Sequence, residues 1–420
     1  MPALDRRSFL GTTVLGLAAL AFPSLSRCAS AGNEIPTSRP DTLFLTWQRD
    51  PTTTMTVQWI GSASQAPDVY VAAMPLADHG PIVANGTIAH TSSRPFPFTD
   101  LRLFRAEFTG LTPGTEYGFH IGAQPHTYRF RTMPAKATDT LSFVSGGDCG
   151  VNPHAAAINV LAAKQDPYFT VIGGDLAYDN GSSPQATLGF LRNYSRHMTD
   201  SEGRLVPMLA CIGNHEVSGG YGKSRADAPL FLSLFDGLFH DTTYAALDFG
   251  DYLSLVLLDT GHIASIGGDQ TEWLEKTLHE RATRPHLIAV NHVPAYPSYR
   301  APDGSDGTGA ENRRHWCPLF EKYNVDAVLE HHDHTFKRTH PLKGGLKDKY
   351  GVPYLGDGSW GQLRAPNSPE KRPYLASVGQ AYHMTVHRLE GEQRYHVALE
   401  ESGKLADVYS TCGKRPAKKG

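Results

Sequence analysis

Five short polar motifs stand where apolar runs of this chain end: Gly147-Asp148-Cys149-Gly150, Gly174-Asp175-Leu176-Ala177-Tyr178, Gly213-Asn214-His215-Glu216, Asn291-His292 and His331-His332-Asp333-His334. Together they offer carboxylate, phenolate, amide carbonyl and imidazole, the donors that hard and borderline metal ions take. Glycines beside Asp148, Asp175 and Asn214 let the backbone turn sharply. A carboxylate between two cations lowers their mutual repulsion and helps hold them about 3.5 to 4 Å apart, a separation suited to an attacking and a leaving oxygen. Asp175 is the candidate for that bridge. Each motif alone is ordinary, since Gly-Asp pairs form turns and Asn-His can cap a helix. Five in series, each behind a strand-like run, point to a cage of Asp148, Asp175, Tyr178, Asn214, His292, His332 and His334.

The elements that must position these residues are legible as apolar runs at Leu141–Val144, Tyr168–Ile172, Pro207–Ile212, Tyr252–Leu258, Leu287–Val290 and Val325–Leu329. Helical spacing over Ala155–Lys164, Thr271–His279 and Asn312–Tyr323 separates them. This alternation predicts an α/β domain over residues 137–410, layered β-sheets flanked by helices with the strands mostly buried. In an open α/β sheet the carboxyl ends of the strands share one crevice, which brings distant motifs together. Residues 41–133 read differently: Met55, Val57 and Trp59 interleave with Thr54, Thr56 and Gln58, and Tyr117, Phe119 and Ile121 repeat the alternation of a β-sandwich. Leu111-Thr112-Pro113-Gly114-Thr115-Glu116-Tyr117 resembles a fibronectin type III strand entry, with Tyr117 placed for a tyrosine corner. This domain carries no titratable cluster, so it reads as a packing or substrate-bordering module. Met133–Thr138 is a linker, and no internal repeat is present.

The five motifs in this order resemble the purple acid phosphatases within the calcineurin-like metallophosphoesterases, and the resemblance runs through both domains. It implies a ferric ion held by Asp148, Tyr178 and His334 with bridging Asp175, and a divalent ion (Zn, Mn or Fe) held by Asn214, His292 and His332 with Asp175. The Asp175-x-x-Tyr178 spacing separates this family from most metallophosphoesterases. A phenol titrates near pH ~10, so a tyrosinate at neutral pH needs a strongly acidic cation. The pairing implies a coloured protein. His215 resembles the family's non-ligand histidine that steadies phosphate or protonates the leaving group, tasks suited to an imidazole. Ser298-Tyr299-Arg300 and the segment ending in His315 lie where relatives place phosphate-contacting side chains, which makes Arg300 and His315 substrate-binding candidates. Histidines that the family often carries after His292 are missing at matching spacing. Two further departures are His331, where the family has glycine, and Ala289-Val290-Asn291-His292 in place of Val-x-x-His. Neither removes a ligand; the first moves the loop or adds a histidine behind the metals.

The resemblance implies hydrolysis of phosphate monoesters, with metal-bound hydroxide as nucleophile. An exported phosphodiesterase or nucleotide-hydrolysing enzyme is the alternative, since one pair of metals serves both and loops decide which ester fits. Gly219–Lys223 and Ala301–Gly309 read as such loops, and their glycines predict mobility. A binding protein with a vestigial centre is a different class of reading, and the intact ligand set argues against it. The other exported iron-containing phosphodiesterases with an Asp-x-x-Tyr motif match Gly213-Asn214-His215-Glu216 and the preceding sandwich less well.

A net charge of -3 over 420 residues, with no basic run before Lys414–Lys419, argues against a nucleic-acid partner; a small phosphorylated substrate is expected. At the start, Asp5-Arg6-Arg7-Ser8-Phe9-Leu10, an apolar stretch Val14–Phe22 and Ala29-Ser30-Ala31 resemble a twin-arginine export signal over residues 1–31. The expected partner is the twin-arginine export machinery, and the expected location is periplasmic or secreted. The apolar stretch is too short for a membrane span. Arg27 before Cys28 makes lipidation the lesser reading. Cys149, Cys211, Cys317 and Cys412 are too scattered for a disulfide framework, and one bridge is left open.

Overall fold

The computed structural model describes residues 39–62, 67–74, 86–124, 126–138, 141–302 and 308–413. The segment 1–31 expected to be an export signal, residues 303–307 of one glycine-bearing loop and the basic tail lie outside them.

Residues after 41 form two four-stranded antiparallel sheets. One runs Phe44–Thr46, Met55–Gly61, Arg102–Phe108, Ser92–Pro95, and the other Thr87–Ala89, Val69–Ala73, Glu116–Ile121, Tyr128–Arg131. The tyrosine corner is present, with the Thr112 amide donating to Tyr117 Oη at 2.9 Å. Alternation along Met55–Gly61 predicts one wet face, yet Thr56 and Gln58 are fully buried. The reason is that this polar face docks on the α/β part. Gln58 Nε2 donates to Leu234 O at 2.9 Å, Arg105 Nε donates to Gln58 Oε1 at 2.7 Å, and Arg94 and Arg105 both pair with Asp236. Lone carbonyls at the end of helix Pro229–Phe235 are thereby satisfied from the other domain.

The α/β part has the expected layered sheets. Its strands divide between a six-stranded sheet, Met208–Ala210, Thr170–Ile172, Leu141–Gly146, His383–Glu390, Gln393–Glu400, Leu405–Cys412, and a seven-stranded sheet, Ala245–Phe249, Leu253–Leu257, His286–Val290, Ala327–Glu330, Tyr354–Asp357, Phe336–Thr339, Leu375–Gly379. The side-chain period of two explains the layering. Leu253, Leu255, Leu257, Ile288, Val290, Ala327 and Leu329 share a core with Phe143, Val144, Val171 and Leu209 of the other sheet. Val256, Leu287, Ala289 and Val328 turn the opposite way, onto Leu274, Leu278, Trp316 and Phe320 of the helices. The central strands of each sheet thus bury one face on the partner sheet and the other under helices. Continuous apolar runs are the result in the central strands, while the edge strand Leu405–Cys412 meets water.

Asn152 caps helix Pro153–Ala163 through Ala155 N, with Pro153 at the first helical position. The segment read as one helix, Asn312–Tyr323, is two, Thr308–His315 and Cys317–Lys322, because Pro318 has no amide to carry the ladder through Trp316. Helices Pro184–His197 and Pro229–Phe235 and the C-terminal antiparallel strands lie beyond the elements read from spacing. Among the described residues there is no disulfide: Cys149, Cys211 and Cys317 are buried thiols and Cys412 is exposed. No helix of the described residues is long and apolar enough to cross a membrane.

Six parallel strands, Leu141–Gly146, Thr170–Ile172, Met208–Ala210, His286–Val290, Ala327–Glu330 and Tyr354–Asp357, deliver their carboxyl ends to one region. There a buried ion pair ties two of the site loops together. Glu330 accepts from Lys337 Nζ at 2.5 Å and from Ala295 N at 2.6 Å, and Lys337 also donates to Tyr296 O. Removing one member strands a charge in a dry interior. Lys337→Ala is expected to cost about 3–5 kcal/mol in denaturant unfolding, and Glu330→Leu combined with Lys337→Met is expected to cost less than that single change.

Candidate metal centre

The loops after the strands are bent by residues that rarely accept such backbone. Asp148, Asp175, Tyr178, His332 and His334 have φ of 58°, 55°, 58°, 69° and 58°, the left-handed region that glycine enters without strain. Five non-glycine residues there aim five side chains inward. The loops hold one another: Asp148 N donates to Gly174 O at 3.1 Å, Cys149 N to Asp175 O at 2.9 Å and His332 N to Asp148 Oδ2 at 2.8 Å.

Two groups of donors result. In the first, His334 Nε2 lies 2.9 Å from Asp148 Oδ1 and 3.0 Å from Tyr178 Oη, and Tyr178 Oη lies 3.3 Å from Asp148 Oδ1. In the second, His292 Nε2 lies 3.1 Å from Asn214 Oδ1, 3.1 Å from His332 Nδ1 and 3.3 Å from Asp175 Oδ1. Asp175 sits between them, fully buried, and its Oδ2 has no hydrogen-bond partner in the protein. One donor atom each from Asp148, Asp175, His292 and His332 falls within 4.8 Å of the others.

The chemistry of this set fits cations. His292 Nδ1 faces Gly173 O at 2.8 Å and must donate to it, so its Nε2 confronts an amide oxygen, a carboxylate and an imidazole nitrogen together. Only positive charge at that point satisfies all three. A proton does so in part: burial alone would lower the His292 imidazole, but the Asp175 charge raises it, and His292 in turn holds Asp175 far below the usual carboxylate range against the opposing push of burial. Burial, then Asp148 and Asp175, push the Tyr178 phenol well above its ordinary value. A phenolate there calls for a strong Lewis acid. Burial, then the charges of His292 and Arg300, hold His332 well below the usual imidazole value, so it is neutral and able to donate a lone pair.

His215 stands at the mouth, its side chain 34% exposed. Nδ1 donates to Asn180 Oδ1 at 2.5 Å, the ring leans on Tyr178 at 4.3 Å, and Nε2 faces the unpartnered Asp175 Oδ2 at 4.0 Å.

Comparison with known sequences agrees with this geometry. Residues 40–132 match the purple acid phosphatase N-terminal domain, and residues 147–336 match the calcineurin-like phosphoesterases, in that order along one chain. The chain carries a purple acid phosphatase N-terminal domain followed by a calcineurin-like phosphoesterase domain. It is 26% identical over 343 residues to an uncharacterized protein of Mycobacterium tuberculosis, covering 72% of this chain and 63% of that one, so it spans less than two thirds of that relative. It is 26% identical over 416 residues to acid phosphatase type 7 of Homo sapiens, covering 89% of this chain and 90% of that protein. A purple acid phosphatase from yellow lupin seeds superposes with a TM-score of 0.68 at 16% identity, over 88% of this chain and 74% of its own, and shares the fold.

Several residues of the centre had no role from sequence. Glu216 is buried and accepts from the amides of Gly213, Asp175 and Leu176, each at 2.8 Å, which locks two ligand loops to one carboxylate. Trp360 lies against Gly146 and donates Nε1 to Asn159 Oδ1 at 2.9 Å, while Gly361 N donates to Asp148 O at 3.1 Å. The glycine-rich run Gly356–Gly361 after an apolar strand was the available signal. Asp333, between two proposed ligands, accepts from Tyr299 N at 2.7 Å. Arg300 is engaged on that same loop, donating to His332 O and to Asp333 Oδ1, so it braces the His332–His334 turn instead of standing as an unengaged phosphate donor. His315 pairs with Glu311 Oε2 of its own helix at 3.2 Å and lies against Gly267, and no hydrogen bond or ion pair described for it reaches the donor cluster.

His331, the departure from the family glycine, sits behind the cluster and does not enter it. Its ring is buried over Gly147 and Gly173, with Nδ1 2.8 Å from Asn291 O. A Cβ on Gly173 would lie 1.9 Å from that ring, so the imidazole fits only because the floor is glycine. Since Gly173 O holds His292, displacement here reaches a proposed ligand directly. Gly173→Ala is expected to cost about 1–3 kcal/mol by overpacking and to lower metal content, and adding His331→Gly is expected to recover most of the loss, read by thermal unfolding and elemental analysis.

Proposed function

We propose that this chain hydrolyses phosphate monoesters at a centre of one ferric and one divalent ion, with Asp148, Tyr178, His334 and Asp175 holding the first and Asn214, His292, His332 and Asp175 the second. The observation that carries the reading is the pair of donor groups sharing Asp175, whose buried Oδ2 lacks a protein partner. When bound, the two ions would supply an activated water and offset charge on the phosphoryl oxygens. The chain's own part is to orient the ester and move one proton. Asn180 fixes His215 Nδ1, which leaves Nε2 directed toward the cluster, where a protonated imidazole can deliver its proton to the departing ester oxygen. Burial lowers the His215 imidazole, followed by opposing contributions from Asp175 and neighbouring histidines, so acidic solution favours the proton-bearing form this task needs.

The test joins elemental analysis and visible absorption with turnover of phosphomonoesters and diesters. Wild type is expected to carry iron, to be coloured and to prefer monoesters. Tyr178→Phe is expected to lose the colour while keeping iron through Asp148, Asp175 and His334. A colourless wild type holding two divalent ions would defeat the ferric assignment.

His215→Ala is expected to keep both metals and to lose about 10²- to 10⁴-fold in turnover, most severely for esters with poor leaving groups. Equal losses for activated and unactivated esters would remove His215 from the proton-donor role.

A further inference from the structure

The glycine turn expected to be mobile is clamped beside the second donor group. Gly219, Gly220 and Gly222 hold φ of 85°, 78° and 63°, so the turn is built from conformations glycine adopts freely. Gly222 N and Lys223 N donate to Gly261 O and His262 O at 2.9 Å each. His262, fully buried, completes the clamp: Nδ1 donates to Gly220 O at 3.0 Å, and Nε2 accepts from Thr260 Oγ1 at 2.9 Å. On that ring rests Tyr221, with centroids 4.8 Å apart, and its Oη lies 3.4 Å from His332 Nε2.

Rotation of the His332 ring decides which nitrogen faces the cluster, and the tautomer decides which nitrogen carries the lone pair. Nδ1 is the one 3.1 Å from His292 Nε2. An imidazole that gives Nδ1 to a cation carries its proton on Nε2, and ligating histidines almost always donate that second N–H to a partner. We propose that Tyr221 is a positioning residue for the second metal: its Oη accepts the Nε2–H of His332, fixing the tautomer and ring plane in which Nδ1 is presented, while His262 braces the phenol. This inference rests on His332 being a ligand of the divalent ion, as read above.

Tyr221→Phe keeps a ring to pack on His262 and removes only the acceptor. In the full chain with iron bound and the divalent ion removed, zinc is titrated back against a chelator. The Phe variant is expected to bind zinc about 10–100-fold more weakly, with iron content unchanged. In the chain loaded with zinc at both positions, imidazole ¹⁵N shifts are expected to show His332 protonated at Nε2, with a hydrogen-bond signature that the Phe variant loses. Equal zinc affinity and unchanged ¹⁵N shifts in Tyr221→Phe would overturn the role of Tyr221 and leave the phosphoesterase reading standing. A wild-type chain that takes up no second ion would overturn both.

Discussion

Oxygen and nitrogen lone pairs gathered in a dry place repel one another, and the architecture around Asp175 is organised by that fact. Asp148, Asp175 and His292 are fully excluded from water, and His332 and His334 nearly so. Such groups stay together only if positive charge stands among them, because an unpaired buried charge is costly. Without metal the protein supplies part of it as a proton on the raised His292 imidazole beside Asp175. Two cations would displace that proton and supply the charge themselves, and the unpartnered Asp175 Oδ2 marks where the protein's own donors run out.

Bringing the donors together has a backbone cost that the scaffold must carry. A non-glycine residue in the left-handed region is strained by about 1–2 kcal/mol, and five of the proposed ligands sit there. Hydrogen bonds between loops over-determine those conformations. Glu216 takes three amides, Asp148 Oδ2 takes the amide of His332, and Asp333 and Arg300 close the His332–His334 turn from behind. Glycines then make room where backbone meets side chain, at Gly146 under Trp360 and Gly173 under His331.

The proposed ligands were legible because donor type and strand-end position coincide at each motif, with a glycine beside Asp148, Asp175 and Asn214. Their supports were not, since Glu216, Asn180, Trp360 and Tyr221 are recognisable only by what they touch across 35 to more than 100 residues of chain. Layered sheets under helices were expected, but which strand joins which sheet was not legible, because strands buried on both faces read as apolar runs whether the cover is helix or sheet. Arg300 and His315 were placed by loop position alone, and position does not say which partner a guanidinium or imidazole finds. The glycines of Gly219–Lys223 suggested motion, whereas their positive φ serves a fixed turn held by His262. Proline and glycine statistics describe what a chain can adopt, and tertiary hydrogen bonds decide what it does adopt.

The same distinction applies to the N-terminal sandwich. Its alternating pattern is that of a module with one solvated face, and by pattern alone it could be detached. Instead Thr56 and Gln58 are sealed against the α/β part, two arginines converge on Asp236, and Trp47 sets its ring edge-on to Phe169 and Phe249 at 5.8 and 5.9 Å. Phe169 precedes the strand that leads to Asp175, and helix Pro229–Phe235 follows the turn that carries Tyr221. One hydrophobic core runs through both domains, with residues of sandwich and sheets in mutual contact. Separating the sandwich would therefore expose apolar surface and uncap a helix on the very elements that lead to the donor cluster, which makes it part of the scaffold of the centre even though it contributes no donor to it.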